Sequence, residues 1–210
     1  RMLRDPTYYA VIDRVVRKEN PWPDEVSVAA KPGRYTEESV PSTRAYGMGY
    51  DRLYRIDGQL RVLQEHFPGL ESCDMTISSN QVPAGAEGWF AIPRWDRLGP
   101  TYNVDVERVL KVLESTHEGK FENIHHGQLG PSRLRERPKK SALLTTLRQQ
   151  QGDHDVTVIA AQFGIQHRGK SARCANATMG ENEFGLGIFE VAIMLLTPPG
   201  RLGRIESLWI

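Results

Sequence analysis

Apolar positions recur at helical spacing in several stretches of the chain. After the start signal Asp5-Pro6, residues Tyr8, Tyr9, Ile12, Val15 and Val16 predict an amphipathic helix that runs to Lys18. Leu53, Tyr54, Ile56, Leu60, Leu63 and Phe67 repeat the pattern. Asp57-Gly58 interrupts it, so Gln59 to His66 is the firmest part of that helix. A third helix is expected after a cap at Asn103 or Asp105, with Val106, Val109, Leu110 and Leu113 on one face and Glu107, Arg108, Lys111 and Glu114 elsewhere. Ser141 to Gln150 carries Leu143, Leu144 and Leu147 at short-helix spacing. Leu186 to Leu196 is apolar all round and stops at Pro198-Pro199, as a buried helix does.

Other stretches read as extended. Met75 to Ser79 and Trp89 to Trp95 flank the loop residues Val82-Pro83-Ala84-Gly85 and are expected to pair antiparallel with each other. Val156 to Phe163 is a continuous apolar run of buried-strand length, and Gly169 to Thr178 predicts a helix with Arg173 on its surface. Asn20 to Tyr50 holds seven Pro and Gly residues and only one short extended run, Val26 to Ala30, so residues 1–50 read as a helix with an irregular arm. Residues 51–210 then form an α+β domain with a single moderate core, a small mixed sheet and five to six helices; a small α/β arrangement is the alternative. Both ends read as cut. The chain starts at Arg1 and stops on the apolar run Ser207 to Ile210, so the domain is expected to be truncated at its C-terminus.

Composition narrows the function classes. The chain has 210 residues, 39% hydrophobic and 25% charged, which excludes disorder throughout. The Leu186 to Thr197 stretch carries Glu190 and falls well short of the roughly 20 residues that span a bilayer. No membrane association is expected. Cys73 and Cys174 show no paired spacing and Arg1 to Asp5 builds no secretory core, which together point to the cytoplasm.

The net charge of +1 conceals a local imbalance. Between Arg133 and Arg173 nine basic residues face three acidic ones, a net +6 that leaves −5 for the rest of the chain. Two clusters carry it: Arg133, Arg135, Arg137, Lys139 and Lys140, then Arg168, Lys170 and Arg173. Guanidinium and ammonium groups mixed with Ser and backbone donors suit phosphate oxygens, so the leading expectation is a protein that binds phosphate groups, most plausibly a nucleic-acid backbone, with no cofactor. Phe163 is the one aromatic residue close by, which argues against stacking on single strands. The plainest alternative is a structural or interaction protein whose basic segment is solvated surface.

Gly164 to Ser171 also fits the G-x-x-x-x-G-K-[ST] spacing of a phosphate loop, after an apolar run and before a helix. In that alternative, Gly164 and Gly169 let backbone N–H groups turn inward, Lys170 reaches the phosphates, and Ser171 holds Mg²⁺ for a nucleoside triphosphate. Against it, only about forty residues remain after the motif, and no Asp follows Ser171 to complete the metal site. Ile159 to Gln166 matches the first half of a helix-turn-helix, but Lys170 and Arg173 stand where the second helix needs apolar residues, and Val156 to Ile159 favour a strand. Weaker candidates are a metal cluster from His117, His125 and His126 with Cys73, Cys174 or His154, and a triad of Asp153-His154-Asp155 with Ser171 or Cys174 as nucleophile. Paired ligand spacing is missing for the first, and the second is ordinary turn chemistry ahead of a strand.

Gly88 to Trp95 (GWFAIPRW) and Asn182 to Val191 (NEFGLGIFEV) resemble segments of bacterial hypothetical proteins, with the resemblance spanning residues 50 to 210. It implies longer chains that continue past Leu208-Trp209-Ile210, and carries over no activity or site residue.

Overall fold

The structure is a computed structural model that describes residues 53–117, 121–123, 128–131, 134, 136–162, 165–167, 170–197 and 208–209. The helix and arm expected over residues 1–50 lie outside the described residues. The rest is an α+β fold, with five α-helices and a two-stranded antiparallel sheet at its centre among the described residues. No helix among them is long and apolar enough to cross a membrane.

Helix α1 spans Ile56–His66 and buries Ile56, Gln59, Leu60 and Leu63. It starts three residues before Gln59, so Asp57 and Gly58 lie in its first turn, where an acidic side chain suits the positive end of the helix dipole. Strand β1 is Gly88–Pro93. Helix α2, Tyr102–Thr116, buries Val106, Val109, Leu110 and Leu113 as the spacing demands. Strand β2 is the two-residue Phe121–Glu122. Helix α3, Pro138–Gln151, begins three residues earlier than expected, because Pro138 at its first turn has no N–H to leave unsatisfied. Strand β3 is Val156–Ala161, helix α4 is Ala172–Thr178, helix α5 is Ile188–Leu196, and strand β4, Leu208–Trp209, pairs parallel with β2.

β1 pairs antiparallel with β3, from Gly88 opposite Ala161 to Pro93 opposite Val156. This corrects the expected pairing of Met75 to Ser79 with the Trp89 strand. Met75–Ser79 is a 3-10 helix with no buried residue, and Asp74 caps it by accepting from Thr76 N (2.9 Å) and Thr76 Oγ1 (2.6 Å). Local side-chain acceptors of this kind offer the backbone an alternative to a sheet ladder. The same pairing removes the helix-turn-helix reading, since Ile159 to Ala161 are strand.

A two-stranded sheet has two open edges, and here a buried glutamine faces each. Gln59 on α1 donates from Nε2 to Trp89 O (2.8 Å) and accepts at Oε1 from Ala91 N (2.9 Å). Its carboxamide thus bonds on either side of Phe90, as a residue of a neighbouring parallel strand would. Gln151, at the end of α3, donates to Val158 O (2.7 Å) and accepts from Val158 N (2.8 Å), the reciprocal pair of an antiparallel neighbour. Ala91 and Val158 are register partners, so the two carboxamides attach at facing positions on opposite edges of the sheet. Around this frame α2 packs on α5, and α1 and α5 pack on β1. Phe67, Leu70, Phe90, Leu110, Phe189, Ile193 and Met194 share one core.

Candidate functional site

The adjacent lysines of the first basic cluster have different environments. Lys140 is 3% exposed, and its Nζ lies 2.8 Å from Glu190 Oε1 and 2.9 Å from Glu136 Oε1. It also sits over the ring of Tyr102, 5.2 Å from the centroid. Burial disfavours its charge, but Glu190, Tyr102 and Glu136 outweigh that penalty and hold the amine charged, above the ordinary lysine range. The sequence places these groups together through helix ends. Glu190 is in the first turn of α5, where its Oε2 accepts from Gly187 N (2.8 Å). Tyr102 opens α2, and Glu136 lies one turn before Lys140. Lys140 is therefore an interior ion pair that joins α3 to α5, which corrects its expected place on a phosphate-binding surface. The sequence gives no warning of this, because Lys139 and Lys140 differ only in which side of α3 they occupy.

Lys139 faces the other way. Its Nζ donates to Gly180 O (3.0 Å), while Lys170 Nζ from the second basic cluster donates to Thr178 Oγ1 (3.1 Å). Residues some thirty positions apart thus meet at the C-terminal end of α4. The negative end of a helix suits cations, and here one ammonium bonds a carbonyl and the other a hydroxyl. Neither lysine is paired with a carboxylate among the described residues. Glu183 is nearby and accepts from Gly180 N (2.8 Å). His167 belongs to the same region: it is 8% exposed, and its Nδ1 has no hydrogen-bond partner among the described residues. Burial first and Lys170 second push the imidazole below its ordinary value, against a smaller opposing pull from Glu183. Arg137 and Arg173 are half-buried, while Arg133, Arg135 and Arg168 lie outside the described residues.

The described part of the phosphate-loop motif does not take phosphate-loop geometry. Ser171 Oγ caps α4 by accepting from Cys174 N (3.1 Å), so the hydroxyl is committed to the helix. Lys170 reaches the far end of that helix instead of the N-terminal end, where phosphates bind. Ile165–His167 is a 3-10 turn, and Gly164 and Gly169 lie outside the described residues. The preceding strand β3 belongs to an antiparallel pair.

The smaller candidates are drawn into the framework. Asp153 accepts from Arg94 Nη1 (2.5 Å) and Arg97 Nη2 (3.2 Å). Asp155 Oδ2 accepts from Glu71 N (2.9 Å) and Ser72 N (3.2 Å). Asp153 thereby ties the chain after β1 to the start of β3, Asp155 ties that start to Glu71 and Ser72, and these bonds give both carboxylates a framework role. His117 lies at the end of α2 with Nδ1 3.2 Å from Leu113 O, and His125 and His126 lie outside the described residues. Among the described residues no group of three or more His, Cys, Asp or Glu side chains is placed to hold a metal ion.

Sequence reasoning misses a second polar centre around the first turn of α2. Asp105 is fully buried, both its carboxylate oxygens lack a hydrogen-bond partner among the described residues, and the carboxyl rests against Gly99. Burial raises its pKa to about 6, Arg108 opposes the rise and Asp96 adds to it. The signal is an acid one residue before Val106 on the apolar face, at a position that equally suits a helix cap. No protein-family model, curated protein or solved structure matches the chain.

Proposed function

We propose that this protein binds phosphate groups, most plausibly those of a nucleic-acid backbone, on the surface where its two basic segments meet. The observation that carries the reading is the convergence of Lys139 and Lys170 on Gly180 and Thr178. Each ammonium has three donors and spends one on a neutral acceptor, so its charge stays available to an anion. Lys140, by contrast, is neutralised by two carboxylates and takes no part. The two basic segments also carry Arg133, Arg135, Arg137, Arg168 and Arg173 in sequence, and the proposed footprint includes them. A nucleotide-hydrolysing reading draws no support from Ser171, whose hydroxyl caps a helix. The free thiols Cys73 and Cys174 support a cytoplasmic setting.

The test is fluorescence anisotropy with labelled single- and double-stranded DNA and RNA over a range of salt. Binding that weakens steeply with salt, with a log–log slope that shrinks by about 1 for each charge lost in Lys139→Gln and Lys170→Gln, supports the reading. Binding without salt dependence, or none, leaves the two lysines as helix-end caps on a solvated surface and ends the proposal.

A further inference from the structure

The imidazole of His167 is buried in the turn that leads to Lys170, and among the described residues its Nδ1 has no partner. A polar atom withdrawn from water without a partner is destabilising, so an orphaned ring nitrogen marks either a cost the fold absorbs or a place where a partner arrives later. His167 Nδ1 is such an atom. The ring is held in the 3-10 turn Ile165–His167, and the turn is continued by Lys170 N donating to His167 O (3.1 Å). Lys170 therefore follows the histidine through a backbone bond and reaches Thr178 with its amine. The charged groups that act on the ring are Lys170 and Glu183; Glu183 accepts from Gly180 N, and Lys139 donates to Gly180 O.

We propose that a phosphate oxygen bound between Lys139 and Lys170 is met by the protonated ring of His167, so that ligand binding takes up a proton. This rests on the phosphate-binding reading above and adds its regulation. In the free protein, burial and the neighbouring ammonium of Lys170 favour the neutral ring. An arriving phosphate reverses the local sign of charge and supplies the missing acceptor, so the ring gains a proton and becomes a charge-assisted donor. The only bond change is a proton transfer: a buffer acid or hydronium gives up its proton and a ring N–H forms on the imidazole. By linkage, affinity rises as pH falls, by up to about tenfold per pH unit between the free and bound values of the ring.

The experiment is a histidine-ring NMR titration of the intact chain in phosphate-free buffer, alone, with a short DNA duplex and with inorganic phosphate, alongside calorimetry of duplex binding in two buffers of different ionisation heat. The expected result is a His167 pKa that rises on addition of the duplex and an uptake of up to about one proton, with that uptake lost in His167→Gln. Salt-dependent duplex binding with an unmoved His167 titration overturns this inference and leaves the surface reading standing. A pKa that rises with inorganic phosphate but not with the duplex keeps the histidine as an anion partner and removes the nucleic-acid source. No binding of either ligand by the wild-type chain overturns both. The wild-type ring titration decides the matter even if the His167→Gln chain fails to fold.

Discussion

Gln59 and Gln151 close the opposite edges of one two-stranded sheet, and their hydrogen bonds end on the register partners Ala91 and Val158. Each carboxamide stands in for a missing strand and satisfies one N–H and one C=O that would otherwise be buried bare. Exposed ladders invite pairing with another chain, so the two glutamines also remove a route to edge-to-edge association. Gln59 uses its second donor on Tyr54 O (2.8 Å), which fixes the approach of the chain into α1.

Truncating either glutamine should therefore cost more than a typical surface change. Gln59→Ala strands three backbone groups and Gln151→Ala two, each for roughly 3 kcal/mol or more by urea denaturation. Loss of less than about 1 kcal/mol in both would mean that the edges are satisfied some other way.

The buried lysine sets up a comparison of single and double variants. Lys140→Ala leaves Glu190 charged and unpaired in the interior and is expected to cost about 3–5 kcal/mol. Lys140→Met combined with Glu190→Gln removes both charges and keeps an acceptor for Gly187 N, so it should be more stable than Lys140→Ala. A double variant no better than the single would show that packing, and not charge, governs the site.

Gly187 is required by its neighbours. Its φ of −88° suits any residue, yet an added Cβ would lie 2.8 Å from Glu190 Oε2, 3.0 Å from Tyr102 Oη and 3.1 Å from Lys140 Nζ. Gly187→Ala should destabilise by about 1–3 kcal/mol, the range for overpacking. Thermal unfolding checks this, and an unchanged midpoint would mean that the three polar groups move aside freely.

Asp105 gives a pH dependence whose sign follows from its raised value. Its pKa is about 6 in the folded chain against 3.8 without the fold, so the native state holds the proton more tightly. Below about pH 4 both states are protonated and there is no penalty. Stability then falls as pH rises toward 6 and levels off above it, with a full loss of about 3 kcal/mol, since each pH unit separating the two values is worth about 1.4 kcal/mol. Asp105→Asn removes this dependence, so its stability gain over wild type should grow between about pH 4 and 6 and then level off. A constant difference across that range, measured by urea denaturation at each pH, would refute the assignment.

Local elements are legible in the sequence where one face of a helix repeats. Val106, Val109, Leu110 and Leu113 announce α2, and the apolar run of α5 announces a buried helix, because period and length decide both. The Val156 strand is legible for the same reason. Met75 to Ser79 misleads because a cap at Asp74 competes with extension over so short a stretch. Strand pairing lies beyond reach, since β1 finds its partner nearly seventy residues later.

Amino-acid order alone sets the α+β class, the position of most helices and the net excess of positive charge over residues 133–173. Those depend on periodicity and composition, which are properties of neighbours in the chain. Packing in three dimensions settles that Gln59 and Gln151 act as strands, that Lys140 turns inward to Glu190 while Lys139 reaches Gly180, and that Lys170 arrives at the same helix end. The reason is physical: whether a polar side chain is a surface charge or an interior partner depends on which distant groups the packed core brings within about 3 Å, the distance at which a hydrogen bond offsets the loss of water.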